Sequence, residues 1–365
     1  MSQNVALIEI SASHEDALYS QLLFMKKSGC KVFLIISTEI EKRMPASLAS
    51  LTDEVKIFEI NSLKGLKRWK AVNSVRKYLL KNNINRAMIY TASGKNILKL
   101  ALLSIFNRKI VFTGGIHHAD KLTRMGLQWI ISLKIKKYFV LNDYILENIS
   151  KPDLKSVRLS SFYPMFFPCP PSVGSGKDNI LKVVIPGALE FKRRAYEDLL
   201  DELKTQPLHP NIKFVIAGNA RLHKPDGQAF VAGIKQMNLE NQFSIFDRFI
   251  SYEEMFVFLE ECNLVLPLMH PRISNFDSYF RYQISGSFNL AFGFYKPMLM
   301  HDVWEKYEDF RETSIFYEKD KLVASLNRLA EQPEILYKTT TMVRNYYKLN
   351  FEYQRRRFMD LVLSK

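Results

Sequence analysis

The sequence has little cysteine. Cys30, Cys169 and Cys262 are the only three in 365 residues, and none has a second cysteine or a histidine at metal-ligand spacing. This pattern excludes a small scaffold held together by disulfides and a zinc module. We therefore expect reduced, structural thiols in a cytoplasmic protein, and no metal site.

Long hydrophobic runs are also missing. The longest candidate, residues 127–133, is far shorter than the roughly 20 residues that cross a bilayer and is followed at once by a lysine. The first ten residues lack a basic segment and predict a β-strand rather than a secretory signal. With 47% hydrophobic and 24% charged residues, the composition is typical of an ordered globular protein, and the length favours two domains.

Acidic residues are absent from residues 60–119, which contain 12 lysines and arginines. Residues 1–175 hold 26 basic residues against 12 acidic ones, whereas residues 176–365 hold 26 against 25. The first half is therefore expected to face something anionic. Nucleic acid, an anionic membrane surface and a phosphorylated substrate are the possibilities.

Apolar strands alternate with amphipathic helices in both halves of the chain. Strands are predicted at residues 5–10, 31–36 and 86–90 in the first half, and at 181–185 and 213–217 in the second. This alternation predicts parallel sheets with helices on both faces. The predicted fold class is α/β, with two Rossmann-like domains facing across a cleft that holds the ligand at the carboxyl ends of the strands.

Proline and glycine mark the boundary between the halves. We expect a domain at residues 1–165, a linker at 166–178 and a second domain at 179–340. Residues 341–365 are expected to form a helix that packs back toward the first domain.

A basic turn follows the first strand of the second half. Gly187 is followed by Lys192, Arg193 and Arg194. Arginine binds phosphate oxygens with two hydrogen bonds, so this turn suits a diphosphate. The alternative is a solvated basic turn, although cations at a helix start oppose the helix dipole.

A second candidate phosphate site is the helix start at Ser285, Gly286 and Ser287. Backbone N–H groups and the positive end of the dipole point at whatever lies before such a helix. The alternative is an ordinary helix capped by a serine.

Two further strand ends could contact a nucleotide. Gly218 and Asn219 permit a close approach of the backbone, and a base could lie against Phe249 or Ile250. The alternative for Phe249 and Ile250 is a packed turn with Ser251 as the helix cap.

The order and spacing of these pieces resemble the nucleotide-sugar domain of a GT-B glycosyltransferase of the family 4 type. The resemblance covers roughly residues 181–300, with looser agreement in the first half. The matching segments are residues 185–187, 192–194, 214–218, 246–255, 263–268 and 291–299.

The resemblance implies roles for these residues. Arg193 is the main phosphate clamp, assisted by Lys192 or Arg194, and Ser285 to Ser287 meet the other phosphate. The donor is a UDP or GDP sugar, and no further cofactor is implied. The residues implied near the donor sugar are His270, Arg272, Ser274 and Tyr279.

The chain departs from this family at one place. Many retaining members carry two glutamates eight residues apart, where this sequence has Tyr282 and Leu290. The stereochemical outcome and the contact to the donor ribose therefore stay open, with Tyr282 retained as a candidate donor contact.

The first half resembles the acceptor domain of the same fold. His14, Glu15 and Asp16 follow the first strand, and His117 and His118 follow a glycine-rich strand end. The first three are candidate bases if the enzyme inverts, and either His117 or His118 orients the sugar if it retains. The alternative for each histidine is a residue without a chemical role.

These observations favour a hexosyltransferase that moves a sugar from a nucleotide diphosphate sugar to a lipid-linked or glycan acceptor in bacterial surface polysaccharide synthesis. The basic first half is expected to hold it on the inner face of the cell membrane, through residues 64–81 and a segment containing Trp129, Ile130, Ile131, Lys134, Lys136 and Lys137. One alternative is a non-catalytic GT-B homologue acting as a partner subunit. Another is a basic nucleic-acid-binding protein, although no nucleic acid is expected because the basic run lacks a reading motif.

Overall fold

The computed structural model describes residues 3–12, 17–149, 157–168, 179–222 and 224–364. The candidate bases His14, Glu15 and Asp16 lie outside the described residues, as does most of the expected linker. The chain divides into two compact units. Unit 1 comprises Met1–Pro168, Arg281–Ile284 and Asn350–Lys365, and unit 2 comprises Cys169–Phe280 and Ser285–Leu349.

The described residues of unit 1 form a seven-stranded parallel sheet in the order β3-β2-β1-β4-β5-β6-β7. The strands are β1 Asn4–Glu9, β2 Lys31–Ser37, β3 Glu54–Phe58, β4 Arg86–Ile89, β5 Val111–Gly115, β6 Lys137–Val140 and β7 Arg158–Ser161. The helices are α1 Leu18–Lys27, α2 Thr38–Glu41, α3 Gly65–Lys81, α4 Lys95–Leu103, α5 Leu127–Lys134, α6 Asp143–Asn148 and, after all of unit 2, α15 Phe351–Leu363.

Helix α15 completes the core of unit 1. The Phe358 ring stacks on Phe139 at 5.1 Å between centroids and meets Phe162 edge to face at 5.0 Å. Buried Lys137 donates to the carbonyls of Leu361 and Ser364 at 3.1 and 2.8 Å, and a cation is favoured at this end of a helix. Burial lowers the pKa of Lys137 to about 8.

The described residues of unit 2 form a six-stranded parallel sheet in the order β10-β9-β8-β11-β12-β13. The strands are β8 Leu181–Pro186, β9 Ile212–Asn219, β10 Phe243–Phe246, β11 Leu264–Val265, β12 Met298–His301 and β13 Ser314–Tyr317. The remaining helices are α7 Tyr196–Thr205, α8 Lys224–Gln236, α9 Tyr252–Glu261, α10 Phe276–Arg281, α11 Gly286–Gly293, α12 Glu308–Thr313, α13 Leu322–Glu331 and α14 Pro333–Asn345.

The Lys-Pro pair after α11 has a structural function. Lys296 donates to the carbonyls of Glu260 and Cys262, at 2.9 and 2.7 Å, and so satisfies the carboxyl end of α9. Pro297 then leads into β12, where a helix could not continue.

The predicted α/β class with two parallel sheets is confirmed. In each sheet the strand that comes first in the chain lies in the middle. Successive strands are added first on one side of it and then on the other, and the change of side occurs between β1 and β4 in unit 1 and between β8 and β11 in unit 2. In open α/β sheets, ligands bind outside the carboxyl ends of the strands at this switch point. The fold therefore predicts two candidate ligand positions, at the switch point of each unit.

Candidate functional site

A cavity of about 310 Å³ lies at the switch point of unit 2. It is bordered by the turns after β8, β9 and β10 and by the start of α11. Its lining residues are Pro186, Gly187, Ala188, Arg194, Ala217, Gly218, Asn219, Leu222, Phe249, Ile250, Ser251, Tyr252, Met255, Gly286, Ser287 and Leu290. The sequence-predicted residues Gly187, Gly218, Asn219, Phe249 and Ile250 thus lie together here.

Two glycines bring the ends of β8 and β9 close together. Gly187 has φ +100°, which side chains rarely adopt. A Cβ on Gly218 would collide with the Gly187 carbonyl oxygen. Both positions therefore require glycine, and together they leave exposed backbone at the cavity wall.

Arg194 is the one charged side chain in the described lining of the cavity. It is only 8% exposed, and its Nη1 donates to the Pro267 carbonyl at 2.8 Å, which links the ends of β8 and β11. A Cβ built on Gly187 would lie 2.5 Å from Nη2, so this nitrogen sits against the bare turn. Burial lowers the pKa of the Arg194 guanidinium, a cost that a bound anion would offset.

Arg193 and Lys192 do not line this cavity. Arg193 is about half exposed and its Nε lies 3.3 Å from Glu190, while the Lys192 Nζ lies 2.7 Å from the same carboxylate. In the basic turn it is therefore Arg194, and not Arg193, that lies in the cavity.

The start of α11 meets the end of β8. The Ser287 hydroxyl donates to the Pro186 carbonyl at 3.3 Å, and the Ser285 hydroxyl donates to Ser287 at 3.3 Å. Ser285 occupies the cap position, but its side chain makes no capping hydrogen bond. Phe288 donates its N–H to the Ser285 carbonyl at 3.0 Å. The two residues before it, Gly286 and Ser287, line the cavity, and a Cβ on Gly286 would meet nothing within 4 Å.

Part of the rim of the cavity is apolar and exposed. Phe249 is 75% exposed and Leu222 is 66% exposed, whereas Ile250 is buried. The turn carrying Phe249 is held by a capping box between Ser251 and Glu254. A large apolar side chain left in water on an otherwise fixed turn is typical of a binding surface.

The residues expected near the donor sugar fall in another place on unit 2. The His270 Nδ1 and Arg272 Nη1 lie 3.0 and 2.8 Å from Asp198. Burial opposes ionisation of Asp198, but hydrogen bonds from these two residues hold its pKa below the ordinary value. Arg272, Ser274 and Lys192 line a second cavity of about 290 Å³ beside this ion pair.

In unit 1, His117 lies two residues beyond β5, at the edge that the switch point defines. A Cβ on Gly115 would collide with the Tyr90 carbonyl, so glycine lets the ends of β5 and β4 approach closely. His117 is half-buried, and its ring makes an edge-to-face contact with Tyr90 at 4.7 Å between ring centroids. Its Nε2 lies 3.4 Å from the Thr91 hydroxyl.

The other two candidates of this region occupy different positions. His118 is exposed. Tyr282 belongs to unit 1, where its carbonyl accepts a hydrogen bond from the N–H of Ala119 at 2.9 Å. It does not line the cavity of unit 2.

No protein-family model and no curated protein matches the sequence. Solved structures do match along almost the whole chain. A glycosyltransferase from Rickettsia africae ESF-5 has a TM-score of 0.68 at 12% identity, covering 100% of this chain and 99% of that one. Anabaena Alr3699/HepE in complex with UDP has 0.63 at 13%, covering 98% and 95%. The lipopolysaccharide outer core galactosyltransferase WaaB in its apo form has 0.61 at 13%, covering 99% of both.

The chain has the GT-B fold. This confirms the resemblance to GT-B glycosyltransferases at the level of fold, while the family 4 type stays a prediction. A shared fold at such low identity does not fix a reaction, because function depends on the residues at the site.

Sequence reasoning missed two residues at the edge of the first GT-B unit, Glu9 and Thr91. Glu9 ends β1 and is 1% exposed, and its Oε2 accepts a hydrogen bond of 2.6 Å from Thr91. The signal was a single carboxylate in a run of buried apolar residues, which rarely occurs without a partner. Thr91, between Glu9 and His117, carried no signal in the sequence.

The GT-B chain also has an exposed apolar and basic face on unit 1. Helix α3 contacts α4, and α4 contacts α5. Large apolar side chains are exposed on or beside them at Leu66, Trp69, Leu102, Phe106, Met125, Leu127, Trp129 and Leu133. We call this the aromatic-basic face, because lysines such as Lys67, Lys70 and Lys95 are exposed on the same helices.

Two residues expected on a membrane-facing segment are buried instead. Ile131 is 0% exposed and Lys137 is 5% exposed, because one packs into the core and the other holds α15. In the described part of the chain, no helix is long and apolar enough to span a bilayer.

Proposed function

We propose that the chain transfers a sugar from a nucleoside diphosphate sugar to a hydroxyl of a lipid-linked or glycan acceptor, as a hexosyltransferase of surface polysaccharide synthesis. The observation that carries this proposal is the cavity of unit 2. It combines a buried guanidinium, bare strand ends and a helix start with an exposed aromatic rim.

The polar side of the cavity suits a diphosphate. Arg194 supplies a fixed charge and the first turn of α11 supplies N–H donors and the positive end of a dipole. These groups are held in place before the reaction by Pro267 and Pro186. They can therefore stabilise the negative charge that develops on a leaving diphosphate without reorganisation.

The apolar side suits a nucleobase. Phe249 and Leu222 are exposed at the rim, and the buried Ile250 also lines the cavity. Stacking a base on an aromatic ring recovers the burial that Phe249 lacks in the free protein. A UDP or GDP donor then spans the cavity with its base on this rim and its diphosphate at Arg194.

The reaction forms a bond between the acceptor oxygen and the anomeric carbon of the sugar. The bond from that carbon to the diphosphate oxygen breaks, and its electron pair leaves with the nucleoside diphosphate. The acceptor hydroxyl loses its proton, for which His117 is the candidate base in the described residues. Inversion and retention both stay open.

The aromatic-basic face supports an acceptor at a membrane. Aromatic rings and lysines on adjacent helices bind the interface of an anionic bilayer. A site on the inner face of the cell membrane fits this surface, and the similarity to WaaB supports an acceptor in a surface glycan.

Binding and turnover test the proposal together. Titration calorimetry with UDP, GDP, uridine and guanosine should show binding of one diphosphate and much weaker binding of its nucleoside. Arg194→Gln should weaken diphosphate binding about 10- to 100-fold, since a hydrogen bond to a charged group is worth about 1.5–3 kcal/mol. Arg193→Gln is the matched control and should change the affinity less than about 3-fold, as for an exposed pair.

A panel of sugar nucleotides with lipid-linked acceptors then tests transfer. If Arg194→Gln and Arg193→Gln lose equal affinity for the diphosphate, the cavity is not the diphosphate site. Diphosphate binding without transfer to any acceptor would favour the non-catalytic partner subunit. A gel shift with RNA or DNA, in the absence of diphosphate binding, would favour the nucleic-acid-binding alternative.

A further inference from the structure

Three cations come together beside the carboxyl edge of the unit 1 sheet. Strand β4 ends at Ile89 and helix α4 begins at Lys95, so Lys95 lies at the same edge of the sheet as the switch point. Lys99 follows one turn later, and its Nζ donates to the Lys95 carbonyl at 3.3 Å. Arg68 comes from α3, which contacts α4. Partial burial, together with the charges of Arg68 and Lys95, lowers the pKa of Lys99, so the three charges act on one another.

No carboxylate balances this cluster. In the part of the chain that the structure describes, Arg68, Lys95 and Lys99 form no ion pair, and residues 60–119 contain no acidic residue. In the basic turn of unit 2, by contrast, both Lys192 and Arg193 pair with a carboxylate. Like charges held together without a counter-charge raise the free energy of the cluster, and a bound anion would lower it.

The guanidinium of this cluster is fixed by the fold. The Arg68 Nε and Nη2 donate to the carbonyls of Leu63 and Asn61 at 2.5 and 2.8 Å. The Asn61 side chain in turn accepts from the amide of Asn96 in α4 at 2.9 Å and donates to Glu39 at 2.8 Å. Arg68 is therefore held relative to the first turn of α4, which reduces the entropy cost of binding an anion there.

The first turn of α4 also favours an anion. Its cap residue is Gly94, with φ +90°, and no side chain caps the helix. The helical hydrogen bonds begin with the Leu98 N–H, which donates to the Gly94 carbonyl at 3.0 Å, and a helix leaves the N–H groups before this point without an acceptor inside it. Lys95 opposes the helix dipole at this end, a conflict that an anion between them would remove.

An exposed apolar surface leads away from the cluster along α3 and α4. The Lys99 Nζ lies 5.4 Å from the centre of the Trp69 ring, and Leu66 on the same helix as Trp69 is 79% exposed. Leu102 is exposed further along α4, and Phe106, just beyond its end, is 95% exposed. These side chains belong to the aromatic-basic face. A ligand with an anionic group on a long apolar chain would fit both parts of this surface.

We propose that Arg68, Lys95 and Lys99 bind the diphosphate of a prenyl diphosphate carrier, whose hydrocarbon chain lies on the aromatic-basic face. This inference rests on the proposed function and names its acceptor, a saccharide joined directly to the carrier diphosphate. A diphosphate at the start of α4 keeps the attached sugar at the carboxyl edge of the sheet, where the candidate base lies. The headgroups of a bilayer would need only a spread of cations, whereas these three meet at one point on that edge.

Titration calorimetry of the full chain with farnesyl diphosphate tests the site. Inorganic pyrophosphate and farnesol are the reference ligands. Because the cavity of unit 2 also suits a diphosphate, each titration is repeated on Arg194→Gln. We expect farnesyl diphosphate to bind at least about 10-fold more tightly than either reference, since only this ligand uses both the cations and the apolar surface. Equal affinities for farnesyl diphosphate and pyrophosphate would overturn the proposal.

Two double variants that lose the same charge separate the cluster from the general charge of the face. Lys95→Gln/Lys99→Gln should weaken farnesyl diphosphate binding about 10- to 100-fold, and Lys95→Arg/Lys99→Arg should retain it. Lys77→Gln/Lys81→Gln is the matched control, because both lysines are exposed and lie one turn apart on α3, with Lys77 on the side opposite Arg68. It should change the affinity less than about 3-fold, and equal losses in the two glutamine variants would overturn the assignment.

Vesicle flotation distinguishes a carrier from an anionic bilayer. Phosphatidylcholine vesicles that contain a long-chain polyprenyl diphosphate should capture the wild type, and Lys95→Gln/Lys99→Gln should lose this capture. On vesicles with phosphatidylglycerol at the same total charge, Lys95→Gln/Lys99→Gln and Lys77→Gln/Lys81→Gln should bind equally. A loss confined to the α4 variant on both kinds of vesicle would assign the cluster to bilayer headgroups and overturn the proposal.

Donor binding separates this inference from the proposed function. Lys95→Gln/Lys99→Gln should bind UDP or GDP as the wild type does, because the cavity of unit 2 is unchanged. Nucleotide binding without farnesyl diphosphate binding would overturn the carrier site alone. Farnesyl diphosphate binding without nucleotide binding would support the carrier site and count against the proposed transfer.

Discussion

The two units place opposite chemistry at the same topological position. In unit 2 the switch point holds a buried guanidinium and bare amides, and the described lining of its cavity includes no carboxylate. In unit 1 the corresponding edge holds a buried carboxyl and an imidazole. On the proposed function, one sheet topology thus provides an anion site in one unit and a proton-accepting site in the other, and the difference lies in a few residues after the strands.

The largest expected difference between the sheet edges of the two units is in the pH dependence of stability, and it comes from Glu9 in unit 1. Its pKa rises from 4.5 to about 7 on folding, so the folded state keeps a proton that the unfolded chain loses between these values. At about 1.4 kcal/mol per unit, the free energy of unfolding falls by about 3 kcal/mol across this window.

Glu9→Gln cannot ionise, so its stability relative to the wild type should rise from pH 4.5 to about 7 and then stay constant. Urea unfolding at several pH values measures the difference. A difference that does not depend on pH would mean that Glu9 is not held protonated by burial.

Gly218→Ala should distort the anion site. The new Cβ meets the Gly187 carbonyl, so the strand ends must separate, at a cost of about 1–3 kcal/mol. We expect a lower thermal transition and weaker UDP or GDP binding. Gly233→Ala is a control in α8, because its Cβ would meet only the flexible end of Leu200.

Phe249→Ala should weaken nucleotide binding without affecting the fold. The ring is 75% exposed, so its removal costs little packing, whereas a stacked base loses about 1 kcal/mol, the low end for such contacts. Calorimetry should show about a 5-fold rise in Kd, and pyrophosphate affinity should not change. An unchanged Kd for the nucleotide would place the base elsewhere.

The smallest effect concerns the ribose. Dinucleotide sites commonly bind the 2′-hydroxyl with a carboxylate, and in the described lining of this cavity Leu290 is present but no carboxylate. We expect UDP and 2′-deoxy-UDP to bind within about 3-fold of each other, less than one net hydrogen bond. A 30-fold preference for UDP would reveal a ribose contact that the cavity does not show.

The fold was predictable because its signals are local. Buried apolar strands follow from periodicity, and the helix cap that the sequence offers at Ser251 is present, as part of a capping box with Glu254. The short polar strand β7 was not predicted, because Arg158–Ser161 lacks the alternation of apolar residues that signals a strand.

The site was predictable only in part. A glycine at the end of a strand, followed by cations, is a sequence signal for the cavity. Which of Lys192, Arg193 and Arg194 turns inward is not visible in this signal, because it depends on the carbonyl of Pro267, which is far away in the sequence. Likewise, nothing near Glu9 in the sequence indicates Thr91 or His117. Strand order brings these residues together, and strand order is not visible in a single sequence.

The position of α15 affects how the chain can be assembled during synthesis. The first 168 residues emerge without the helix whose Phe358 lies against Phe139 and Phe162, and they stay incomplete until all of unit 2 has followed. The unit that is started first is therefore finished last. A truncation near the carboxyl terminus would damage the amino-terminal unit rather than the one adjacent in the sequence.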